Sequence, residues 1–293
     1  MKRIELPLSL LATLVVGCAG RPQGPDAGDR SSGLVRVALT FTHRGEATHF
    51  DAQGHFVRLR GGSGPWVAAV LGIPDDQAIP LERCQVVDGA ERIDRAVHDA
   101  NGVALELLDA GRLVVKGPHG TTSLQAWHYP QLTPYAAGVV YGVDEARSVT
   151  LEPGATYTVV GDGGEEVGPF VAQVPAPRGF ASPEASPLSL GRDLELRWSS
   201  AGVGDLEPAV IALAWSDARE SREVRCRIRD DGYFRLPRDL IPAGQPRRAE
   251  VALSRFRRAP LSAHGATPGE LVVELRDVLP LTAGEAGAAG DGR

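Results

Sequence analysis

Apolar and polar side chains alternate along much of the chain, which is the pattern of a β-strand with one buried face. Val35, Val37, Leu39 and Phe41 lie on one side of such a strand, and mostly polar residues lie between them. Glycine and proline separate the other apolar runs, and a single short helix is predicted in this half, at 91–97. The remaining strands of the first half are predicted at 66–71, 103–108, 112–116, 139–141 and 157–160.

The second half repeats the pattern more regularly. Leu194, Leu196 and Trp198 share one face of a strand, and residues 210–215 form a continuous apolar run suited to a central strand. Further strands are predicted at 224–228, 233–237, 249–256 and 271–275. About seven short strands in roughly 100 residues, with a tryptophan on an early strand, resemble an immunoglobulin or fibronectin type III sandwich.

These patterns predict an all-β protein with two sandwich domains. A proline-rich connector at 174–179 marks the boundary between them. We therefore predict a β-sandwich or barrel-like domain over residues 34–175, an immunoglobulin-like sandwich over 176–280 and a disordered tail over 281–293.

The N-terminal residues have the composition of a secretory signal. Met1, Lys2 and Arg3 form a basic start, residues 6–16 are an apolar stretch, and Gly17 directly precedes Cys18. This arrangement resembles the lipobox of bacterial lipoproteins. The resemblance implies that residues 1–17 are removed and that the thiol of Cys18 is acylated. The alternative is an ordinary secretory signal in which Cys18 is incidental.

The residues after Cys18 predict how the two sandwich domains are connected to the membrane. Residues 18–33 are rich in Gly, Pro, Ser and Asp, so we expect a lipidated flexible tether. Ala19 stands where inner-membrane lipoproteins carry Asp, so the resemblance to the lipoprotein sorting rule implies the outer membrane of a Gram-negative cell. We expect a cell-envelope protein, attached to the membrane through the lipid on Cys18 and facing the periplasm or the exterior.

Net charge, apolar runs and cysteine content further limit the kinds of protein that this chain can be. The formal net charge of −6 argues against a general nucleic-acid binder. No apolar run after Cys18 reaches the length of a transmembrane helix. The remaining cysteines, Cys84 and Cys226, either form a disulfide, which the oxidising periplasm permits, or are two buried thiols.

Three stretches resemble uncharacterised lipoproteins of the myxobacterial type. The first is residues 107–113; the second is 151–159 followed by 168–170; the third is 194–198 followed by 224–226 and 231–237. The resemblance implies a paired β-sandwich on the cell surface or in the periplasm. It implies no catalytic residue.

The strongest candidate for a metal site lies in the first domain. A hairpin turn at 51–54 would place His49, Asp51 and His55 on one face, where two imidazoles and a carboxylate could bind zinc or another divalent cation. The alternative is a polar hairpin surface without a cofactor. The acidic loops at 162–166 and 230–232 are weaker candidates for calcium, because neither matches an EF-hand.

Two other groups could contact a partner. Trp127, His128, Tyr129 and Tyr135 lie in a proline-bounded segment and could bind a glycan or peptide, or could cap one end of a sandwich. The basic run 255–258 could meet an anionic surface, or could be the outward face of a strand.

Catalytic signatures are missing from the sequence: it contains no G-x-S-x-G, HExxH, P-loop or dinucleotide motif. We therefore expect a non-enzymatic binding or structural and adhesion module with a protein or glycan partner. The alternative is a metal- or carbohydrate-binding lipoprotein, or an enzyme, with its site in the first domain.

Overall fold

The structure is a computed structural model of the chain. It describes residues 32–60, 64–87, 104–133, 136–144, 151–181, 183–189, 191–200, 207–216, 221–241 and 248–281.

The first part of the described chain consists of strands and one short helix, α1 (Gly64–Val70). Its strands are β1 (Ser32–Arg44), β2 (Ala47–Arg60), β3 (Arg83–Val87), β4 (Ala104–Leu107), β5 (Leu113–Gly117), β6 (Gly120–Thr133), β7 (Ala136–Gly142), β8 (Thr156–Gly161) and β9 (Phe170–Pro175).

The second part is built almost wholly of strands, with one 3-10 turn at Arg238–Leu240. Its strands are β10 (Glu184–Ala185), β11 (Leu194–Arg197), β12 (Ala209–Ser216), β13 (Ser221–Ile228), β14 (Tyr233–Leu236), β15 (Arg248–Leu261) and β16 (Gly269–Pro280). The prediction of an all-β fold is confirmed.

Most strands belong to one long sheet. Its order is β3-β13-β12-β15-β16-β1-β2-β4-β7-β6-β5-β8-β9, and a second sheet has the order β10-β11-β14. Strands β1 and β16 pair in parallel, with Val37 opposite Leu271, whereas their neighbours β2 and β15 pair with them antiparallel. The parallel pair joins the beginning and the end of the described chain at the centre of the sheet.

Two hydrophobic cores lie on the same face of this sheet. In the first, the alternating residues of β1 meet side chains of β5, β8 and β9, because the sheet curls until β9 contacts β15 and β16. In the second, the small sheet β10-β11-β14 covers β12, β13 and the first half of β15. Both cores are therefore sandwich-like, and the long strand β15 contributes to each.

Buried polar groups lie where β15 passes from one core to the other. The guanidinium of Arg255 is almost fully buried, and it donates from Nε to Asp230 Oδ2 at 2.6 Å and from Nη2 to Asp230 Oδ1 at 3.0 Å. Its other N–H groups donate to the backbone oxygens of Arg178, Gly179 and Ser199. All five donors of this arginine are thus satisfied.

This arrangement overturns the expectation that the basic run 255–258 faces outward. Arg255 also stacks on Phe180, with Cζ 4.0 Å from the ring centroid, and Asp230 accepts a further hydrogen bond from Trp198 Nε1 at 2.7 Å. The guanidinium therefore fastens the connector at 178–180 and the end of β11 to the sheet.

Two local predictions are wrong. The apolar run 66–71 forms most of α1 instead of a strand, because a run this short does not separate buried helix from buried strand. Residues 51–54 lie inside the continuous strand β2, and the hairpin turn is at Gly45 and Glu46. The predicted helix at 91–97 lies outside the described residues.

The two predicted domains contribute to a common sheet. Strand β3 of the first half pairs with β13 of the second, and β1 pairs with β16. The domain limits themselves, at 175/176 and 280/281, stay a prediction, and residues 1–31 and 282–293 lie outside the described part.

Candidate functional site

The face of the sheet opposite the two cores is here called the back face. On β1 it carries Leu34 and Arg36, and on β15 it carries Phe256 and Arg258, since these positions alternate with the core residues. Helix α1 packs on this face through Val67, within an apolar cluster that includes residues of β2 and β4. From α1 the chain crosses the back face to β3.

We call this crossing segment, residues 71–82, the strap. The carboxylate of Asp76 forms two hydrogen bonds with Arg225 of β13, from Nε at 2.6 Å and from Nη2 at 2.9 Å, and both side chains are buried. Arg227 Nη1 donates to the backbone oxygens of Gln77 and Ile79, each at 3.3 Å. The strap is therefore held to the sheet by arginines that alternate along one strand.

The end of the strap is fixed by a further pair of contacts. Glu82 has a positive φ of 62°. Its backbone N–H donates to Arg227 O at 2.8 Å, and its Oε1 accepts from the backbone N–H of Arg229 at 2.8 Å. A non-glycine residue held in this conformation needs such surrounding bonds to offset its strain.

Two neighbouring cavities lie beneath the strap, and together we call them the strap cleft. One, of about 240 Å³, opens between the strap and β12, β13 and β15. The other, of about 280 Å³, opens between the strap, α1, β1 and β16. They share Asp76, Gln77 and Arg258 in their walls, so they adjoin.

Charged groups of both signs alternate along the floor of the strap cleft. Arg36 Nη1 donates to Glu270 Oε1 at 3.0 Å, and Arg258 Nη1 donates to Glu207 Oε2 at 2.6 Å. Arg258 Nε lies 3.5 Å from Glu270 Oε2, which links the two pairs into one row. Each guanidinium in this row presents donors and each carboxylate presents acceptors.

Arg258 is the central member of this row. Its Cζ lies 4.9 Å from the centroid of the buried Phe256 ring, which gives the guanidinium a cation–π contact. Among the described residues, its buried Nε has no hydrogen-bond partner.

A disulfide joins the strand after the strap to the sheet. Cys84 of β3 and Cys226 of β13 lie directly opposite each other and are bonded through Sγ, with the Cα atoms 4.0 Å apart. Of the two alternatives for these thiols, the structure contains the bridge. It closes a sequence separation of 142 residues and clamps the C-terminal end of the strap.

The structure does not bring His49, Asp51 and His55 together. They share one face of the extended strand β2, so that His49 and His55 are about 20 Å apart at 3.3 Å per residue. His49 and Asp51 are exposed, whereas His55 is buried opposite Arg36. In the described part of the chain, no group of three or more His, Cys, Asp or Glu is placed to hold a metal ion.

His55 makes the stability of the fold dependent on pH. Burial and, secondarily, the charge of Arg36 lower its pKa from 6.5 to about 4. Between these values the unfolded chain binds a proton that the folded chain does not, so stability is lost as the pH falls. At pH 4.5 we expect a loss of about 2.5 kcal/mol from this group, relative to pH 7.5.

Urea unfolding of the protein and of His55→Gln at both pH values measures this effect. The variant should lose less stability on acidification by that amount, whereas His119→Gln, at an exposed site, should behave as the unaltered protein does. Equal acid sensitivity of His55→Gln and the unaltered protein would show that His55 is protonated in the fold.

The aromatic candidates lie on a strand and not on a loop. Trp127, His128 and Tyr129 belong to β6, and Tyr135 lies outside the described residues. The ring of Trp127 covers Gly142 of β7, where an added Cβ would stand 2.7 Å from the indole. Of the described members of the predicted group, His128 and Tyr129 are exposed and Trp127 is partly exposed.

The acidic loops proposed for calcium are bound by donors of the protein. Glu166 accepts from the backbone N–H of Asp109 at 3.2 Å and from Arg58 at 3.4 Å. Asp230 accepts from Arg255 and Trp198. These bonds occupy carboxylate oxygens that a cation would need.

Cys18 and the tether lie outside the described residues. Within the described part of the chain, no helix combines the length and apolar character needed to span a membrane.

The strap cleft was not predicted, because its residues are far apart in sequence. Asp76 and Arg225 are separated by 149 positions, and Arg36 and Glu270 by 234. One signal was available: Arg225 and Arg227 alternate with buried residues on β13, and Arg229 continues the alternation just beyond it, which is a row of donors suited to carboxylate or carbonyl partners.

No protein-family model matches the sequence, and no curated protein matches it significantly.

Proposed function

We propose that this chain is a lipid-anchored protein of the cell envelope whose β-sandwich body is a non-enzymatic binding module. The observation that carries the proposed location is the Cys84–Cys226 disulfide. Structural disulfides persist in oxidising compartments outside the cytoplasm and are rare inside it. An N-terminal sequence of the secretory type, ending at Cys18, agrees with such a location.

The lipid would anchor the chain, and residues 18–33 would let the body reach a partner. Acyl chains on Cys18 contribute about 0.8 kcal/mol for each buried methylene, so more than one chain holds a protein firmly. The absence of Asp after Cys18 supports the outer membrane as the site of attachment. The alternative of a metal site on β2 is weakened by the separation of His49 and His55.

The anchor is tested by substituting Cys18→Ser. We expect the variant to lose incorporation of radiolabelled palmitate and to move from the membrane fraction to the soluble fraction, because Ser offers no thiol for acylation. Ala19→Ser, the adjacent control, should keep both the label and the membrane location. A Cys18→Ser protein that stays membrane-bound and labelled would show that the anchor is elsewhere.

A further inference from the structure

We infer that the strap cleft is a carbohydrate-binding site that takes a neutral sugar through its alternating guanidinium and carboxylate groups. The assignment rests on the proposed binding function, since it names the ligand class and the surface. It does not depend on the lipid anchor.

The balance of charge in the cleft favours a neutral ligand. Arg36 and Arg258 are already paired with Glu270 and Glu207, so a strong anion or cation would have to displace a partner. A sugar hydroxyl donates and accepts at once. It can therefore bond to a carboxylate and a neighbouring guanidinium without breaking their pair.

The geometry of Arg258 provides a specific point of attachment. Its Nη1 is held by Glu207 and its Cζ by the Phe256 ring, which fixes the direction of the remaining N–H groups. Arg258 lines both cavities, and a ring or hydroxyl oxygen of a sugar is an uncharged acceptor for those of its N–H groups that face them.

The shape of the strap cleft sets the size of the ligand. The cavities of about 240 and 280 Å³ each fall below the roughly 300–1,000 Å³ of sites for drug-sized ligands. Apolar groups such as Leu34, Ile73 and Pro208 line them beside the charged row. Small cavities with mixed walls suit single sugar rings, whose C–H faces are apolar and whose edges are polar.

The strap cleft is also kept in one shape before any ligand arrives. The buried Asp76–Arg225 pair and the Cys84–Cys226 bridge fix the strap, so binding orders few groups. A preorganised site loses less conformational entropy on binding. This matters for a sugar, which offers only hydrogen bonds and weak apolar contacts.

The test applies the full-length protein, purified in detergent, to an array of neutral and anionic glycans. Calorimetric titration with the neutral glycan that binds best follows. Glu207→Ala and Glu270→Ala should each weaken that binding roughly tenfold, because each removes a charged acceptor. Glu250→Ala is the matched control. Glu250 pairs with Arg44 on the same back face but outside the strap cleft, so its loss should leave affinity unchanged.

The outcomes separate the claims. Binding of a neutral glycan that is weakened by both cleft variants, but not by the control, supports the site. Binding of no neutral glycan, or only of sulfated or phosphorylated ones, overturns the ligand class. Neutral-glycan binding that survives both cleft variants, each shown to be folded by circular dichroism, moves the site away from the strap cleft. If no glycan on the array binds, the fractionation of Cys18→Ser can still show a lipid anchor. Failure of the sugar site and failure of the anchor are therefore distinguishable.

Discussion

Replacing Arg255 with Met is expected to lower the free energy of unfolding by about 3–5 kcal/mol. The substitution keeps much of the side-chain volume but leaves the carboxylate of Asp230, which is 2% exposed, buried without its cation. It also removes the donors that hold the backbone oxygens of Arg178, Gly179 and Ser199. Urea unfolding at neutral pH measures the change.

Two further variants keep this prediction testable. Arg255→Lys retains the charge but has three donors instead of five, so a smaller loss is expected. Arg44→Ala removes an arginine from an exposed ion pair with Glu250 and should change stability by less than about 1 kcal/mol. If Arg255→Met were as mild as Arg44→Ala, the guanidinium would not be the fastener that joins the connector to the sheet.

Removing the disulfide is expected to destabilise the protein by a comparable amount. The bridge restricts the unfolded chain, and for a sequence separation of 142 residues this restriction stabilises the fold by about 5 kcal/mol. Removing a native disulfide typically lowers the free energy of unfolding by about 2–5 kcal/mol. The double variant Cys84→Ala, Cys226→Ala should show this loss in denaturant unfolding. Because β3 lies at the edge of the sheet, hydrogen exchange should increase most in β3 and the strap.

The same experiment has an internal control. Adding reductant to the unaltered protein should reproduce the loss, whereas the double variant should not respond. Peptide mapping after alkylation without reduction should leave Cys84 and Cys226 unlabelled. Labelling of both thiols in the native, unreduced protein would contradict the bridge and remove the observation on which the proposed location rests.

Much of the strand content could be predicted because several strands alternate apolar and polar residues, with the apolar face buried. Strands β1, β11 and β13 show this in Val35–Phe41, Leu194–Trp198 and Val224–Ile228. Helix α1 could not be predicted, because its seven residues show no helical or strand periodicity of apolar and polar positions. Gly54 suggested a turn, but it is needed inside β2, where an added Cβ would stand 3.1 Å from Leu113 and 3.2 Å from Tyr141.

The alternation of apolar and polar residues within a strand could not predict which distant strands pair, nor the strap cleft that this pairing creates. Nothing near Arg36 indicates that β1 lies beside β16, or that Glu270 stands opposite. The burial of Arg255 was equally hidden, because a basic run is usually solvated and its partner Asp230 is 25 positions away. The β1–β16 pairing and the burial of Arg255 both arise from tertiary contacts, which the periodicity of side chains along the sequence does not predict.

The central claim is that this body is attached to a membrane through Cys18. It is tested most directly by mass spectrometry of the N-terminal tryptic peptide from the membrane-purified protein. Trypsin does not cleave between Arg21 and Pro22, so the account predicts a peptide that begins at Cys18, ends at Arg30 and carries acyl chains. A peptide that extends upstream of Cys18, or one that begins there with an unmodified thiol, would contradict it.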